Sequence, residues 1–201
     1  MKDRIGIICM LLGAVLLLAA LSLFLWNRNE DARAKKSVEQ VLPKLIEQLE
    51  TSDDMGRDGA LPYPAPYDPM MAEVEIDGYD YIGYLSIPSL GLELPIMSEW
   101  DYERLKIAPC RYSGSTKTND LVLAAHNYTW HFGPVKELAI GDEVYFTDMD
   151  GVVTCYEVAV METLSPVAVE EMTAGDWDLT LFTCTYSGQS RVTVRCDRIH
   201  K

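Results

Sequence analysis

Residues 5 to 26 contain no charged side chain, and this apolar run constrains the chain more than any other feature. As a helix it would be about 33 Å long, which is enough to cross the hydrocarbon core of a bilayer. We therefore predict a transmembrane anchor within residues 1–26. A cleaved signal peptide is the alternative, but the run is longer than a usual signal core and offers a poor small-residue cleavage site.

Residues 27–73 combine a predicted helix with a predicted linker. Between residues 31 and 50, apolar side chains recur at helical intervals, which predicts a helix with one apolar stripe. Pro43 would either kink this helix or open a second short one. Residues 51–69 are rich in Asp, Gly and Pro, so we expect an extended linker there. The stripe consists of Val38, Val41, Leu42, Leu45, Ile46 and Leu49.

Residues 74–201 show short apolar or alternating runs separated by turn residues, a pattern typical of β-strands. Strands do not alternate with long helices in this sequence, and that alternation is the pattern that would indicate a parallel sheet. A closed antiparallel barrel would pair the edges of so many short strands, so we predict an all-β barrel with short helical turns at 100–106 and 133–138. The predicted strands are 82–87, 92–97, 121–125, 143–147, 152–161, 179–183 and 191–196.

Composition narrows the function classes. The chain has 201 residues, enough for one well-cored domain plus a short appendage. Its formal net charge is -14, whereas nucleic-acid binding requires clustered Lys and Arg. We therefore predict no nucleic-acid partner.

Three separated residues form a candidate catalytic group. Cys184 ends one predicted strand and Arg191 opens the next, and this pair combines a thiol nucleophile with a cation for the charge on an attacked carbonyl. His126 follows the apolar strand 121–125, where an imidazole can protonate a leaving amine. Arg195 competes with Arg191, because it shares the strand face but lies roughly 13 Å further along.

These segments resemble the sortases, the cysteine transpeptidases of Gram-positive cell surfaces. The family's TLxTC motif is matched by Thr180-Leu181-Phe182-Thr183-Cys184. Its catalytic histidine follows a short apolar strand, as His126 does, although Ala125 stands where the family usually has glycine. The family arginine maps onto Arg191. The resemblance extends from Tyr81 to the C-terminus.

The resemblance implies a closed eight-stranded sortase-like β-barrel in residues 74–201. It implies that Cys184 forms a thioester with an LPxTG-like sorting signal of a surface protein or pilin, and that the fragment passes to an amine of a cell-wall precursor or pilin. No cofactor or metal is expected. Basic residues flank the apolar run on both sides, so charge alone leaves its orientation open. The resemblance places residues 27–73 and the barrel outside the cell, with a cytoplasmic N-terminal tip.

Substrate selection is expected from the segment 164–177, which forms one wall of the groove in sortases. We take Val167, Val169 and Met172 as candidate substrate-binding residues, together with a hydroxyl contact from Thr183. Glu170 and Glu171 are similar to calcium ligands of some sortases. A solvated acidic turn is the favoured interpretation, since calcium needs several oxygen ligands.

Three further alternatives stay open. The segment 61–69 has a leucine-proline start and an Asp-Pro pair similar to the lid of pilin-type sortases, but a rigid proline-rich spacer is favoured. Cys155 and Cys196 are expected to be buried free thiols rather than a disulfide, and Cys110 lies in a predicted loop of unknown relation to the site. A catalytically inactive, membrane-anchored β-barrel binding module is the alternative function.

Overall fold

The computed structural model describes residues 2–56 and 70–200, with side chains from 6 to 51 and from 70 to 200. A long helix, α1, spans Lys2–Gly56, and a single-turn helix, α2, spans Val169–Met172. The strands are β1 Val74–Ile76, β2 Tyr79–Ile87, β3 Leu92–Met97, β4 Cys110–Ser113, β5 Leu121–Ala125, β6 Glu143–Asp148, β7 Val153–Leu164, β8 Leu179–Cys184 and β9 Arg191–Ile199.

Eight strands close into a barrel in the order β2-β3-β4-β5-β8-β9-β7-β6, and β6 pairs with β2 to complete the ring. This confirms the closed eight-stranded barrel predicted from the sequence, and β1 adds one extra strand beside β2. Closure depends on Gly83, which has a φ of 141°. A Cβ there would meet the Thr147 carbonyl oxygen at 2.0 Å, so a residue with a side chain would push β2 and β6 apart.

The strand directions refine the prediction of an antiparallel barrel. Two of the pairings, β3 with β4 and β5 with β8, are parallel, and the others in the ring are antiparallel. Parallel neighbours need a long connection, and here β6, β7 and α2 lie in the chain between β5 and β8. The carboxyl ends of β5 and β8 consequently lie side by side at one end of the barrel.

The core fills the barrel and continues under α1. Every barrel strand except β4 contributes side chains to the first buried cluster, and a second buried cluster, which includes Cys110 of β4, joins the barrel to the helix. Burial of this apolar area supplies most of the stabilising free energy of such a fold. The first cluster includes Leu85, Leu94, Leu123, Phe146, Val158, Leu181 and Val194, and the second includes Val41, Leu45, Tyr81, Met97 and Leu105.

The second half of α1 packs on the barrel at β1 and β3. Val38, Val41 and Leu45 are buried at helical spacing, together with Ala34, which confirms the predicted apolar stripe. Pro43 lies inside the helix with an exposed side chain, and α1 continues past it, so no second helix begins there.

The first half of α1 is an apolar helix with its side chains exposed. Its most apolar 18-residue window has a mean hydropathy of 2.8 and none of it is buried against the rest of the protein. By length and composition, this helix can cross a membrane.

Other elements match or amend the predictions locally. Short 3₁₀ turns occur at Arg104–Lys106 and Gly133–Glu137, as expected. The segment that begins at Cys110 was predicted to be a loop, but it forms β4 because it bridges Met97 of β3 and Ala124 of β5. All five cysteines are free thiols, as predicted for Cys155 and Cys196, but only Cys196 is buried as expected and Cys155 is half-buried. The candidate lid at 61–69 lies outside the described residues.

Candidate active site

Three neighbouring strands bring the candidate catalytic residues to one end of the barrel. In the parallel pair β5 and β8, Ala125 lies opposite Thr183. The next residue of each segment, His126 and Cys184, therefore lies at the same end of the barrel. In the antiparallel pair β8 and β9, Cys184 lies directly opposite Arg191. His126, Cys184 and Arg191 line one groove.

Thr183 fastens the two strand ends that carry the thiol and the imidazole. Its side chain is buried, and its hydroxyl donates to the Ala125 carbonyl at 2.8 Å. Cys184, the next residue, is half-buried and lies at the groove. The hydrogen bond restrains the spacing between β5 and β8, whereas the substrate contact of Thr183 stays a prediction.

His126 is half-buried at the base of the loop 126–133, and its ring lies 4.8 Å from that of Tyr128, centroid to centroid. Its Nε2 is buried and has no hydrogen-bond partner in the described part of the chain. Burial lowers the pKa of His126 below the usual value, nearby Lys106 lowers it further, and Glu30 opposes the change. The imidazole is therefore mainly neutral at neutral pH and can accept a proton.

Arg191 is held loosely beside the thiol. Its Nη1 donates to the carbonyls of Gly188 and Ser190, both at 3.2 Å. Both bonds use one nitrogen of a guanidinium that carries five N–H donors, so the fork can also bind an oxygen in the groove.

Arg195, the competing arginine, is buried at 4% exposure and has all three nitrogens engaged. Nε donates to Glu162 at 2.8 Å, and Nη1 donates to Thr180 at 3.0 Å. Nη2 donates to the Glu171 carbonyl at 2.8 Å, and Nη1 also reaches the Met172 carbonyl at 3.3 Å. Arg195 therefore ties α2 to β7 and β8.

The segment before and within α2 forms one wall of the groove. Val169 and Met172 line it, and so do Pro166 and Ala168, whereas substrate binding by Val169 and Met172 stays a prediction. The expectation that Val167 faces the groove is corrected, because Val167 is 82% exposed and does not line this groove. A turn, closed by the hydrogen bond from the Ala168 N–H to the Ser165 carbonyl, carries it out to solvent.

Aromatic residues also line the groove, and the sequence interpretation did not include them. Trp100 stacks at 5.1 Å on Tyr112, which meets Phe182 edge-on at 5.2 Å. Tyr102 contacts Trp100 at 5.9 Å and is 74% exposed. In the sequence, Trp100 and Tyr102 in the predicted turn 100–106 were the available signal for an aromatic surface. Tyr112 and Phe182 are distant in sequence, and only the barrel topology brings them to the other two.

One further cysteine and one further histidine lie in the interior of the barrel domain. Burial raises the pKa of the Cys110 thiol to about 12, and its Sγ donates to the Ala108 carbonyl at 3.4 Å. His131 is fully buried, and burial lowers its pKa to about 3. Neither side chain lines the groove.

Glu170 and Glu171 are both exposed in α2. In the described ranges, no group of three or more His, Cys, Asp or Glu side chains could hold a metal ion.

Comparison with known proteins identifies the family. The sortase domain family model matches residues 85–199, so this chain belongs to the sortase family, whose members are cysteine transpeptidases. A search of curated proteins found no match.

Solved structures agree with the family assignment. Sortase C1 from Streptococcus suis is 27% identical, with a TM-score of 0.53 over 60% of this chain and 74% of that chain. A Clostridium perfringens sortase D5 transpeptidase is 19% identical and shares the fold, with a TM-score of 0.59 over 84% of this chain and 99% of that one. A Clostridium perfringens sortase C, solved with the C-terminal cell wall sorting motif, is 23% identical, with a TM-score of 0.54 over 81% of this chain and 91% of that one.

Proposed function

We propose that this sortase cleaves an LPxTG-like sorting signal through a thioester on Cys184 and transfers the acyl fragment to an amine. The observation that carries the proposal is the strand register, which sets Cys184 opposite Arg191 and next to His126 at one groove. A binding module would not need these three side chains together.

The proposed first half-reaction uses each of the three residues once. His126, neutral because burial lowers its pKa, takes the proton of the Cys184 thiol. The sulfur adds to the scissile carbonyl, and Arg191 donates hydrogen bonds to the oxygen that becomes negative. His126 then protonates the departing amine as the C–N bond breaks, which leaves a thioester.

The second half-reaction reverses the proton transfers. An incoming amine attacks the thioester and gives a proton to His126, and the C–S bond breaks to release Cys184. The acceptor amine is proposed to belong to a peptidoglycan precursor or a pilin, as the family resemblance implies. These steps require no cofactor.

The groove walls support an apolar peptide as substrate. Met172, Val169, Trp100 and Tyr112 all line the groove, and such apolar and aromatic surfaces suit the leucine and proline of a sorting signal. The solved Clostridium perfringens sortase C with its sorting motif supports the substrate class.

The proposed arrangement of the chain follows the apolar run. Residues 1–26 would form a cytoplasmic tip and membrane anchor, residues 27–73 an extracellular helix and linker, and residues 74–201 the extracellular catalytic barrel. The exposed apolar half of α1 supports this arrangement.

The test combines the full-length protein in detergent with a library of sorting-motif peptides and amine acceptors. Mass spectrometry should find an acyl adduct on Cys184 and amine-linked products. Cleavage that persists in the Cys184→Ala variant, or an adduct on another residue, would overturn the proposal.

A further inference from the structure

The catalytic-histidine loop, residues 126–133, is anchored on its inner side by its own backbone. The Phe132 N–H donates to the His126 carbonyl at 3.1 Å, and the Phe132 side chain is fully buried. The Gly133 N–H donates to the Tyr128 carbonyl at 2.9 Å, in a packing so close that a Cβ on Gly133 would meet that oxygen at 2.6 Å. The tip of this loop, Thr129 and Trp130, is exposed.

Helix α1 holds the exposed tip from outside. An Asp31 carboxylate oxygen accepts a hydrogen bond from the Thr129 N–H at 2.7 Å. One turn further along the helix, the Lys35 ammonium lies 4.4 Å from the centroid of the Trp130 ring. Residues 31 and 35 share one face of α1, so this face contacts two consecutive loop residues, Thr129 and Trp130.

The position of Asp31 is fixed by packing on that same face. Ala34 and Val38 are buried against the barrel within two turns of Asp31, and Val41 and Leu45 extend the contact. The helix can therefore neither rotate nor slide without losing buried apolar area, and Asp31 is a preset acceptor for the loop.

We propose that Asp31 is a positioning residue for His126, acting through the loop backbone to keep the imidazole beside Cys184. This inference rests on the acid-base role of His126 in the proposed function, and it gives the helix after the anchor a second task. The bond needs an acceptor oxygen rather than a charge, so asparagine should replace aspartate.

Charged groups surround His126, so a control must separate an electrostatic effect on the imidazole from a loss of loop position. Lys106, Glu30 and His131 lie near the imidazole, and Tyr128 stacks on it. The Glu30 side chain is 16% exposed and pairs with Arg33 at 2.7 Å. A charge effect would therefore shift the pH profile, whereas a loss of loop position would lower kcat at every pH.

The experiment uses the full chain in detergent micelles or nanodiscs and compares Asp31→Ala, Asp31→Asn and the matched helix control Glu47→Ala. Asp31→Ala should lower kcat about 10-fold with little change in KM, as expected for a displaced catalytic group. Asp31→Asn and Glu47→Ala should stay within about twofold of the wild type, and hydrogen exchange of the Thr129 amide should accelerate in Asp31→Ala alone. Wild-type kcat in Asp31→Ala, or equal losses in Asp31→Asn and Asp31→Ala, would overturn the proposal.

A double variant separates this inference from the proposed function. If Asp31 acts through His126, adding Asp31→Ala to His126→Ala should cause no further loss of rate. Full activity in His126→Ala would reject the acid-base role itself. An inactive His126→Ala variant together with a fully active Asp31→Ala variant would reject only the positioning role.

Discussion

The mouth of the groove and the interior behind it contain the same three reactive residue types in opposite environments. At the mouth, each side chain is half-buried and retains hydrogen-bonding capacity toward the groove. In the interior, each is shut away from the groove by packing. The matched pairs are Cys184 and Cys110, Arg191 and Arg195, and His126 and His131.

The difference shows that surroundings, and not residue type, decide which of these groups can do chemistry. Three guanidinium nitrogens of Arg195 donate hydrogen bonds to protein acceptors, whereas one nitrogen of Arg191 does so. Burial holds Cys110 as a neutral thiol and His131 as a neutral imidazole. The interior residues contact the rest of the barrel, and the mouth residues keep part of their surface open to the groove.

The thiol pair should give the largest contrast. Cys184→Ala should lower peptide cleavage by about 10⁴-fold or more, because a covalent nucleophile is lost. Cys110→Ala should keep kcat within about twofold but lower the free energy of unfolding by about 1–2 kcal/mol through lost packing. Cleavage kinetics and urea unfolding measure the two effects. Substantial turnover in Cys184→Ala would break the comparison.

The arginine pair should separate activity from stability. Arg191→Lys should lower kcat/KM about 100-fold at unchanged stability, since lysine keeps the charge but loses the planar fork. Arg195→Lys should lower the free energy of unfolding by about 2–4 kcal/mol, because buried acceptors in α2 and β8 lose their donors. Exchanged phenotypes would move the oxyanion role to Arg195.

The histidine pair should differ in the pH dependence of stability. The pKa of His131 is about 3 in the folded protein, while in the unfolded chain it is near 6.5, so only the unfolded state gains this proton between those values. The free energy of unfolding should fall by about 2 kcal/mol from pH 6.5 to pH 5 on this account. His131→Phe should remove that part of the slope in urea unfolding, and an unchanged slope would show that His131 is not buried neutral.

The smallest effect concerns the charge beside His126. Lys106 lowers the pKa of this imidazole, so Lys106→Gln should raise it and shift the acid limb of kcat/KM to higher pH. Glu30→Gln should shift the same limb to lower pH, because Glu30 acts in the opposite sense. Shifts in the same direction for both variants would contradict the assignment of the limb to His126.

Local patterns predicted much of this molecule. The apolar run and the helical stripe after it, the short strands and the order of His126, Cys184 and Arg191 are features of contiguous sequence, where periodicity of side chains is informative. Their agreement with one family explains why the barrel and its sortase character could be inferred without coordinates.

The remaining features depend on contacts between distant segments. β4 has four residues and owes its strand conformation to Met97 and Ala124, so no local period marks it. Arg191 and Arg195 have the same alternation, and the structure separates them by setting Arg191 opposite Cys184 and by packing α2 over Arg195. Val167 and Val169 are similarly close in sequence, and the turn at Ser165 decides which one faces the groove.

The continuity of α1 fixes the distance between the apolar run and the groove. The helix passes unbroken from Trp26, the last residue of the apolar run, to Asp31 at the histidine loop, a rise of about 7.5 Å. Trp26 and Phe24 share a surface depression with Asn127 and with Tyr186 of the β8–β9 loop. With the apolar run in a bilayer, the groove would open at the level of the lipid headgroups. A peptide would then approach the thiol along the membrane surface, so the encounter would be a search over an area rather than through a volume.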